Sequence, residues 1–210
     1  MDAFERAVIP NGPFFACVQL DEGHAADLAR RNNPIPVPGA ETYQLAREAA
    51  ETNWREYWNR SVVALKDERL EEIWFRSLYF LHCAVRGGVA CPGLYANWRT
   101  PAGDPLWHGD YHLNYNAQQL FWAVFSSNHV EKHDTYVQMV AHLLPSSRQW
   151  AQDHVGIRGA FFPLCAYPVE MSIPPYPVPP LSWQICTVPW TVQSLWWHYL
   201  YTQDKDFLRR

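Results

Sequence analysis

The stretch WHGDYHLNYNAQQLFW, residues 107–122, decides how this chain of 210 residues is interpreted. It contains two Trp, two Tyr, two His, two Asn, two Gln and one Asp, and no Lys or Arg. A packed core holds few polar groups, because each buried polar atom needs a hydrogen-bond partner. An ordinary solvated loop holds fewer aromatic rings. The mixture favours a polar cleft at the junction of a loop and a helix.

Two other interpretations stay open from the residues alone. His108 and His112, with Asp110 between them, could bind a metal ion, although Gly109 disfavours the helix that would place both imidazoles on one face. Alternatively, Asn114 or Asp110 could cap the next helix while the rings pack. The cleft interpretation accounts for more of the stretch. Neutral amides can hold a water molecule, and His and Asp can bind sugar hydroxyls through charge-assisted hydrogen bonds.

Length and charge exclude several classes of function. A chain of 210 residues fits one domain, or one domain with an appendage. The formal net charge is -4 and no basic run occurs, which argues against nucleic acid as a partner. No apolar run approaches the roughly 20 residues of a membrane span, so we expect no membrane partner. The oligomeric state stays open.

The cysteines and the N-terminus carry little further information. The five cysteines form no CxxC pair, so neither a zinc knuckle nor a disulfide framework is indicated. We expect buried free thiols, and neither a metal nor a cofactor. The opening residues MDAFERAVIP lack the apolar segment of a signal peptide. A cytoplasmic location is therefore the default expectation, or secretion if an export signal lies upstream of Met1.

Aromatic residues are abundant, with 11 Trp, 11 Tyr and 10 Phe. Part of this content belongs in a core. An excess of Trp beside neutral hydrogen-bonding groups is also typical of carbohydrate clefts, because sugars present CH-rich faces that stack on rings.

The apolar periodicity predicts a mainly helical chain after a poorly organised N-terminus. Residues 14–20, FFACVQL, predict a short buried strand, and the proline-rich stretch 32–39 predicts an extended connector. We therefore expect residues 1–40 to be the end of a β-rich or linker region. Residues 41–210 are expected to hold a helical linker and the first part of a helical domain.

The helices predicted by periodicity and capping residues cover most of that second region. Asp67 is the predicted N-cap of one helix, which glycines 87 and 88 would close. Pro145 should kink or divide another helix. The last long helix carries an apolar face. The predicted helices are 41–58, 67 to 87, about 114–125, one from about 131 onward, and 189–203, with Val192, Leu195, Trp196, Tyr199 and Leu200 on the face of the last.

The stretch GDYHLNYNAQQLFW, residues 109–122, resembles the signature of glycoside hydrolase family 95, D-Y-H-x-N-x-N-x-Q followed by a Trp. Softer resemblances flank it. YWNRSVVALKDERLEEIWFRSLYFL, residues 57–81, looks like that family's helical entry to its barrel. TVPWTVQSLWWHYLYTQDKDFL, residues 187–208, looks like a later helix pair. The resemblance covers roughly residues 54 to 210.

The resemblance implies a mainly α fold, part of an (α/α)6 barrel, preceded here by a short extended or strand segment. It also implies inverting hydrolysis of a terminal α-linked sugar, typically α-L-fucose and in some relatives α-L-galactose. By this resemblance, Asn114 and Asn116 position the attacking water and His112 contacts the sugar. The other residues expected to bind the carbohydrate substrate are Trp107, His108, Asp110 and Gln118.

The chain departs from the family pattern in two ways. Trp122 is followed by Ala-Val-Phe, where the family has Pro-Ala-Glu. The family's general acid and its assisting aspartate are expected beyond Arg210, and Glu170 is the one carboxylate considered as a substitute. A non-catalytic carbohydrate-binding protein is therefore the alternative function. A related six-hairpin phosphorylase would need an anion site, for which no basic or glycine-rich candidate is visible.

Overall fold

The computed structural model describes residues 14–18, 37–87, 90–96, 109, 111–166 and 184–209. The chain divides into two compact units, Met1–Arg60 and Ser61–Arg210. The mainly helical class predicted from the sequence is confirmed. No helix in these ranges is long and apolar enough to cross a membrane.

The first unit contains helix α1, Ala40–Trp58, which confirms the helix predicted over 41–58. Exposed ion pairs between residues one turn apart stabilise this helix; for example, Arg47 Nε lies 2.7 Å from Glu51 Oε1. The prediction of a buried strand is wrong for residues 14–18, which are exposed and form no strand. A strand needs a neighbouring strand to satisfy its backbone, and the described part of the chain gives this segment none. Residues 19 and 20 lie outside that part.

The second unit begins with helix α2, Glu68–Ala84. Asp67 is its N-cap, as predicted, and the carboxylate accepts hydrogen bonds from the backbone N–H groups of Arg69 and Leu70 at 3.0 and 3.2 Å. The helix ends at Ala84 instead of continuing to the glycines, because Val85 adopts an extended backbone.

The predicted single helix over 114–125 is wrong in detail, because the chain forms two short helices. They are α3, Asn116–Gln119, and α4, Trp122–Ser126. Between them the Phe121 N–H donates to the Gln118 carbonyl at 3.1 Å, a tight three-residue step that interrupts the α-helical ladder. Strand β1, Tyr111–His112, precedes them and pairs antiparallel with β2, Cys165–Ala166.

A 3-10 turn, Val130–His133, leads into helix α5, Asp134–Val155. Pro145 lies inside this helix and does not divide it, which excludes one of the two effects predicted for this proline. A proline removes one N–H and leaves the carbonyl four residues earlier, at Ala141, without its helical donor. Ala141 and Pro145 are both exposed, so a water molecule can donate a hydrogen bond to that carbonyl. The helix ends at Gly156, whose φ of 71° is left-handed and easily adopted by glycine.

Helix α6, Thr187–Thr202, turns an unexpected face inward. Amphipathic helices usually bury their apolar face, yet Val192, Trp196 and Leu200 are 45%, 50% and 45% exposed. The buried residues are small or polar: Thr187, Thr191, Ser194 and His198. Pro189 lies in the first turn, as predicted. A short helix α7, Lys205–Leu208, follows and is capped by Asp204.

Candidate active-site turn

A short turn between β1 and α3 presents the two candidate asparagines. Its first residue, Leu113, is fully buried, and its N–H donates to the Leu164 carbonyl at 2.8 Å. At the other end, the Gln118 side-chain Nε2 donates to the Leu113 carbonyl at 2.6 Å. The residues between these anchors, Asn114 to Asn116, are exposed. The turn is therefore held at both ends by buried groups and open to ligands in the middle.

Asn114 and Asn116 flank Tyr115, which is 42% exposed. Asn116 is the first residue of α3, and Tyr115 has a non-helical backbone with φ of -172° and ψ of -53°. Neither asparagine side chain hydrogen-bonds to another described residue. Each amide therefore offers a carbonyl oxygen and two N–H donors to a bound water or hydroxyl.

Two further predicted site residues lie in the same segment but differ in exposure. His112 is half-buried in β1, where the pairing with Cys165 fixes its backbone. Gln118 is only 1% exposed. The turn thus brings Asn114, Asn116 and His112 close along the chain, while the Gln118 amide points to the protein interior.

Four other residues considered from the sequence lie outside the described residues. They are Trp107, His108, Asp110 and Glu170. Gly109, within the same segment, has a φ of 72°, and its carbonyl accepts from the Leu94 N–H at 3.3 Å. In the ranges that the structure covers, no group of three or more His, Cys, Asp or Glu side chains could hold a metal ion.

An aromatic cluster adjoins the turn. Tyr115 packs edge-on against Trp122, with ring centroids 5.6 Å apart. Trp122 in turn lies 6.2 Å from Trp197 of α6. Trp122 and Trp197 also line an apolar cavity of about 380 Å³. Its lining residues are Trp122, Phe125, Ser126, Trp197, Leu200 and Tyr201.

Sequence reasoning did not foresee this cavity. Trp197 and Tyr201 are one turn apart on α6, so their spacing indicates a shared helix face. Nothing local to that helix indicates that Phe125 lies beside them, with its ring centroid 5.0 Å from that of Tyr201.

A buried histidine pair lies behind the aromatic cluster. His133 Nδ1 and His198 Nδ1 are 3.2 Å apart, and Phe121 and Tyr136 contact the His133 ring. Burial, with a smaller contribution from His198, lowers the pKa of His133 to about 3. Burial also lowers the pKa of His198, although Asp134 and Asp204 oppose this.

Both histidines are therefore neutral at pH 7. His198 Nε2 lies 3.7 Å from Asp134 Oδ1. One of the two Nδ1 atoms of the pair carries a proton and donates to the other. The pair is a buried, packed structural feature.

The two asparagines have no carboxylate partner among the described residues. Within the covered ranges, no Asp or Glu side chain forms a hydrogen bond with Asn114 or Asn116. The turn can thus bind a water or a sugar hydroxyl through neutral groups, while protonation of a leaving group requires a carboxyl from elsewhere.

Comparisons with known proteins identify a family and a relative of this chain. The chain is 27% identical over 195 residues to the Arabidopsis thaliana protein named Alpha-L-fucosidase 2, a match covering 89% of this chain and 22% of that protein. The chain therefore spans about a fifth of the length of that curated relative.

The model of the glycosyl hydrolase family 95 catalytic domain matches residues 35–210, which include the asparagine turn and all the described helices. The helical fold is accordingly part of an (α/α)6 barrel. On this match, which covers most of its length, the chain belongs to glycosyl hydrolase family 95.

Proposed function

We propose that this chain carries the water-positioning part of a glycosidase site that hydrolyses terminal α-L-fucosides or a closely related sugar. The observation that carries the proposal is the turn itself. Asn114 and Asn116 are exposed, and buried hydrogen bonds hold the turn at both ends. Membership of family 95 supports glycoside hydrolysis, and the name of the Arabidopsis relative supports fucose as the sugar.

The proposed chemistry is inversion at the anomeric carbon. A side-chain amide oxygen accepts a hydrogen bond from the water, and an amide N–H of the other asparagine donates a hydrogen bond to the water oxygen. This orients a lone pair toward the sugar without changing the charge of the site. As the water attacks the anomeric carbon, its proton passes to a carboxylate base from another part of the protein. His112 and the neighbouring Trp107, His108 and Asp110 are proposed to hold the sugar.

Inversion also needs a general acid on the opposite face of the sugar. In inverting enzymes, the two catalytic groups stand about 6.5–9.5 Å apart, which leaves room for the water. The proposal assigns this role to none of the described residues. A carboxylic acid must come from another part of the protein to complete the reaction.

The test measures hydrolysis of 4-nitrophenyl α-L-fucoside and follows the anomer formed by proton NMR. We expect β-L-fucose as the first product. Replacing Asn114 and Asn116 together with Ala should lower kcat by at least about 10²-fold, as for other positioned polar groups in transition-state contact. The matched control is Gln119→Ala, which removes an exposed amide from the same short helix.

Equal rates for the double variant and the control would remove the asparagines from the mechanism. If the protein hydrolyses the α-L-galactoside and not the α-L-fucoside, the proposed substrate becomes an α-L-galactoside.

A second candidate function is carbohydrate binding without catalysis. The observation that favours it is the lack of a described carboxylate beside the asparagines. Saturation-transfer NMR with L-fucose separates the two functions. Binding that Asn114→Ala weakens, together with no hydrolysis by the wild-type chain, would favour the binding protein.

A further inference from the structure

Gln118 differs from every other amide in the candidate site because it faces inward. It is 1% exposed, whereas its chain neighbour Gln119 is exposed. The Gln118 Nε2 donates to the Leu113 carbonyl at 2.6 Å, closing a loop of six residues. A buried donor without such a partner is costly, so this hydrogen bond has a strong influence on the conformation of the loop.

The same bond connects the turn to the interior of its unit. Leu113 is held on its N–H side by the Leu164 carbonyl next to β2. On the other side, the Gln118 amide lies beside the Tyr136 hydroxyl of α5. That hydroxyl donates to the Thr191 carbonyl of α6 at 2.9 Å. Leu113 and Gln118 are therefore connected by hydrogen bonds and close contacts to β2, α5 and α6.

We propose that Gln118 is a positioning residue, whose hydrogen bond to the Leu113 carbonyl sets the backbone that presents Asn114 and Asn116. Its consequence for catalysis rests on the proposed function, in which those asparagines orient the attacking water. Leu113 immediately precedes Asn114, so rotation of its peptide group redirects the asparagine. A displacement of about 1 Å in such a group can lower a rate by about 10²-fold.

This role contrasts with the sequence-based expectation that Gln118 binds substrate. A residue that is 1% exposed and already donates to the backbone has little surface to offer a sugar. The two roles make different predictions. A sugar contact would mainly affect KM, whereas a positioning bond affects kcat and the geometry of the unliganded turn.

The first test examines the wild-type chain by NMR. Hydrogen exchange of the Gln118 Nε2 protons should be much slower than that of the Gln119 side chain, since one is buried and bonded and the other is exposed. Equal exchange would overturn the proposal. This measurement needs no variant, so it can overturn the proposal even if substitutions prevent folding.

The second test uses Gln118→Glu, with Gln119→Glu as the matched control. An ionised carboxylate has no proton to donate to the Leu113 carbonyl, but the protonated acid can restore the bond. The Asn114 and Asn116 side-chain signals should therefore shift at pH 8 and return toward their wild-type positions at pH 5. The control should show neither effect. Gln118→Leu, which keeps the volume but has no donor, should show the shift at every pH.

His112, close to Asn114 along the chain, is present in the wild type and in Gln119→Glu as well, so the pH effect of Gln118→Glu is measured relative to both. Two buried neighbours stay uncharged over the pH range of the test. Burial raises the pKa of Tyr136, the hydroxyl beside Gln118, so it stays protonated throughout. His133 contacts Tyr136, and its pKa of about 3 keeps it neutral between pH 5 and 8. Unchanged asparagine signals in Gln118→Glu and Gln118→Leu at pH 8 would overturn the proposal.

Activity distinguishes this proposal from the proposed function. With 4-nitrophenyl α-L-fucoside, Gln118→Glu should lower kcat by about 10²-fold at pH 8, with KM changed only slightly, and regain part of the loss at lower pH relative to wild type. A rise in KM alone would overturn the positioning role and favour sugar contact. If the NMR shifts occur as expected but L-fucose and its aryl glycoside neither bind nor react, the positioning of the turn stands and the proposed function fails.

Discussion

Asp67 shows how a single residue defines an element of this protein. Its carboxylate accepts two backbone N–H groups at the start of α2, which would otherwise lack partners in the protein. Glutamates in the first turn, Glu68 and Glu71, add favourable charge near the positive end of the helix dipole. The beginning of α2 is thus specified by a few consecutive side chains.

We expect Asp67→Ala to lower the free energy of unfolding by about 1 kcal/mol, the usual value of a lost N-cap. The measurement is urea unfolding followed by circular dichroism. The control is Asp153→Ala, which removes an exposed aspartate that accepts from Gln149 within α5. That substitution should cost roughly 0.3 kcal/mol. If Asp67→Ala lowers the free energy of unfolding by no more than the control does, the N-cap contributes little to stability.

At the scale of elements, the buried histidine pair joins the 3-10 turn to α6. His133 and His198 are neutral in the folded protein because burial disfavours their charged forms. In the unfolded chain, their pKa values return to about 6.5. Acid therefore protonates the unfolded chain first. The contribution of the neutral histidines to the free energy of unfolding is fully present above pH 6.5. It is lost as the pH falls toward 3, the pKa of His133 in the folded protein.

The variant His133→Phe tests this dependence. The His133 ring packs among Phe121, Phe125 and Tyr136, so an aromatic replacement suits the site. Between pH 6 and 4, we expect the slope of unfolding free energy against pH to fall by up to about 1.4 kcal/mol per pH unit, the contribution of one proton. Replacing the exposed His142 with Gln is the control. An unchanged slope in His133→Phe would contradict the assignment.

Helix α6 shows why element packing is not a local property. Part of its buried face is held by partners on other elements: the Thr187 hydroxyl donates to the Phe162 carbonyl at 2.6 Å, and the Thr191 backbone carbonyl accepts from the Tyr136 hydroxyl. Small side chains also allow close approach. The large apolar residues are left on the opposite face, with Trp196 half exposed.

At the scale of the Ser61–Arg210 unit, the result is an accessible apolar cavity beside the candidate turn. Exposed apolar surface of this kind binds hydrophobic dyes. We expect 8-anilinonaphthalene-1-sulfonate to fluoresce with the native chain, and Trp197→Leu to weaken the signal severalfold, because Trp197 lines the cavity. Trp196→Leu is the matched control, since this neighbour is 50% exposed and does not line it. Equal losses in both variants would place the dye elsewhere.

The sequence predicted the position of the two asparagines, whereas their role stays a prediction. The N-x-N motif and its neighbours indicated a sugar cleft, and the structure shows Asn114 and Asn116 exposed on a held turn. The inward orientation of Gln118 could not be predicted. It depends on the Leu113 carbonyl and Tyr136, which approach only when the turn, α5 and α6 have packed together.

The sequence by itself determined where most helices lie, how α2 is capped, and which family the chain resembles. Periodicity, capping residues and a short motif are properties of neighbouring residues, so they can be read without the fold. Tertiary structure alone decided the break between α3 and α4, the pairing of residues 111–112 with 165–166, and the face that α6 buries. The strand pairing and the buried face of α6 depend on hydrogen bonds between groups far apart in the chain, whose partners exist only once the chain has folded. The break between α3 and α4 involves the local hydrogen bond from the Phe121 N–H to the Gln118 carbonyl, which periodicity does not distinguish from a continuous helix.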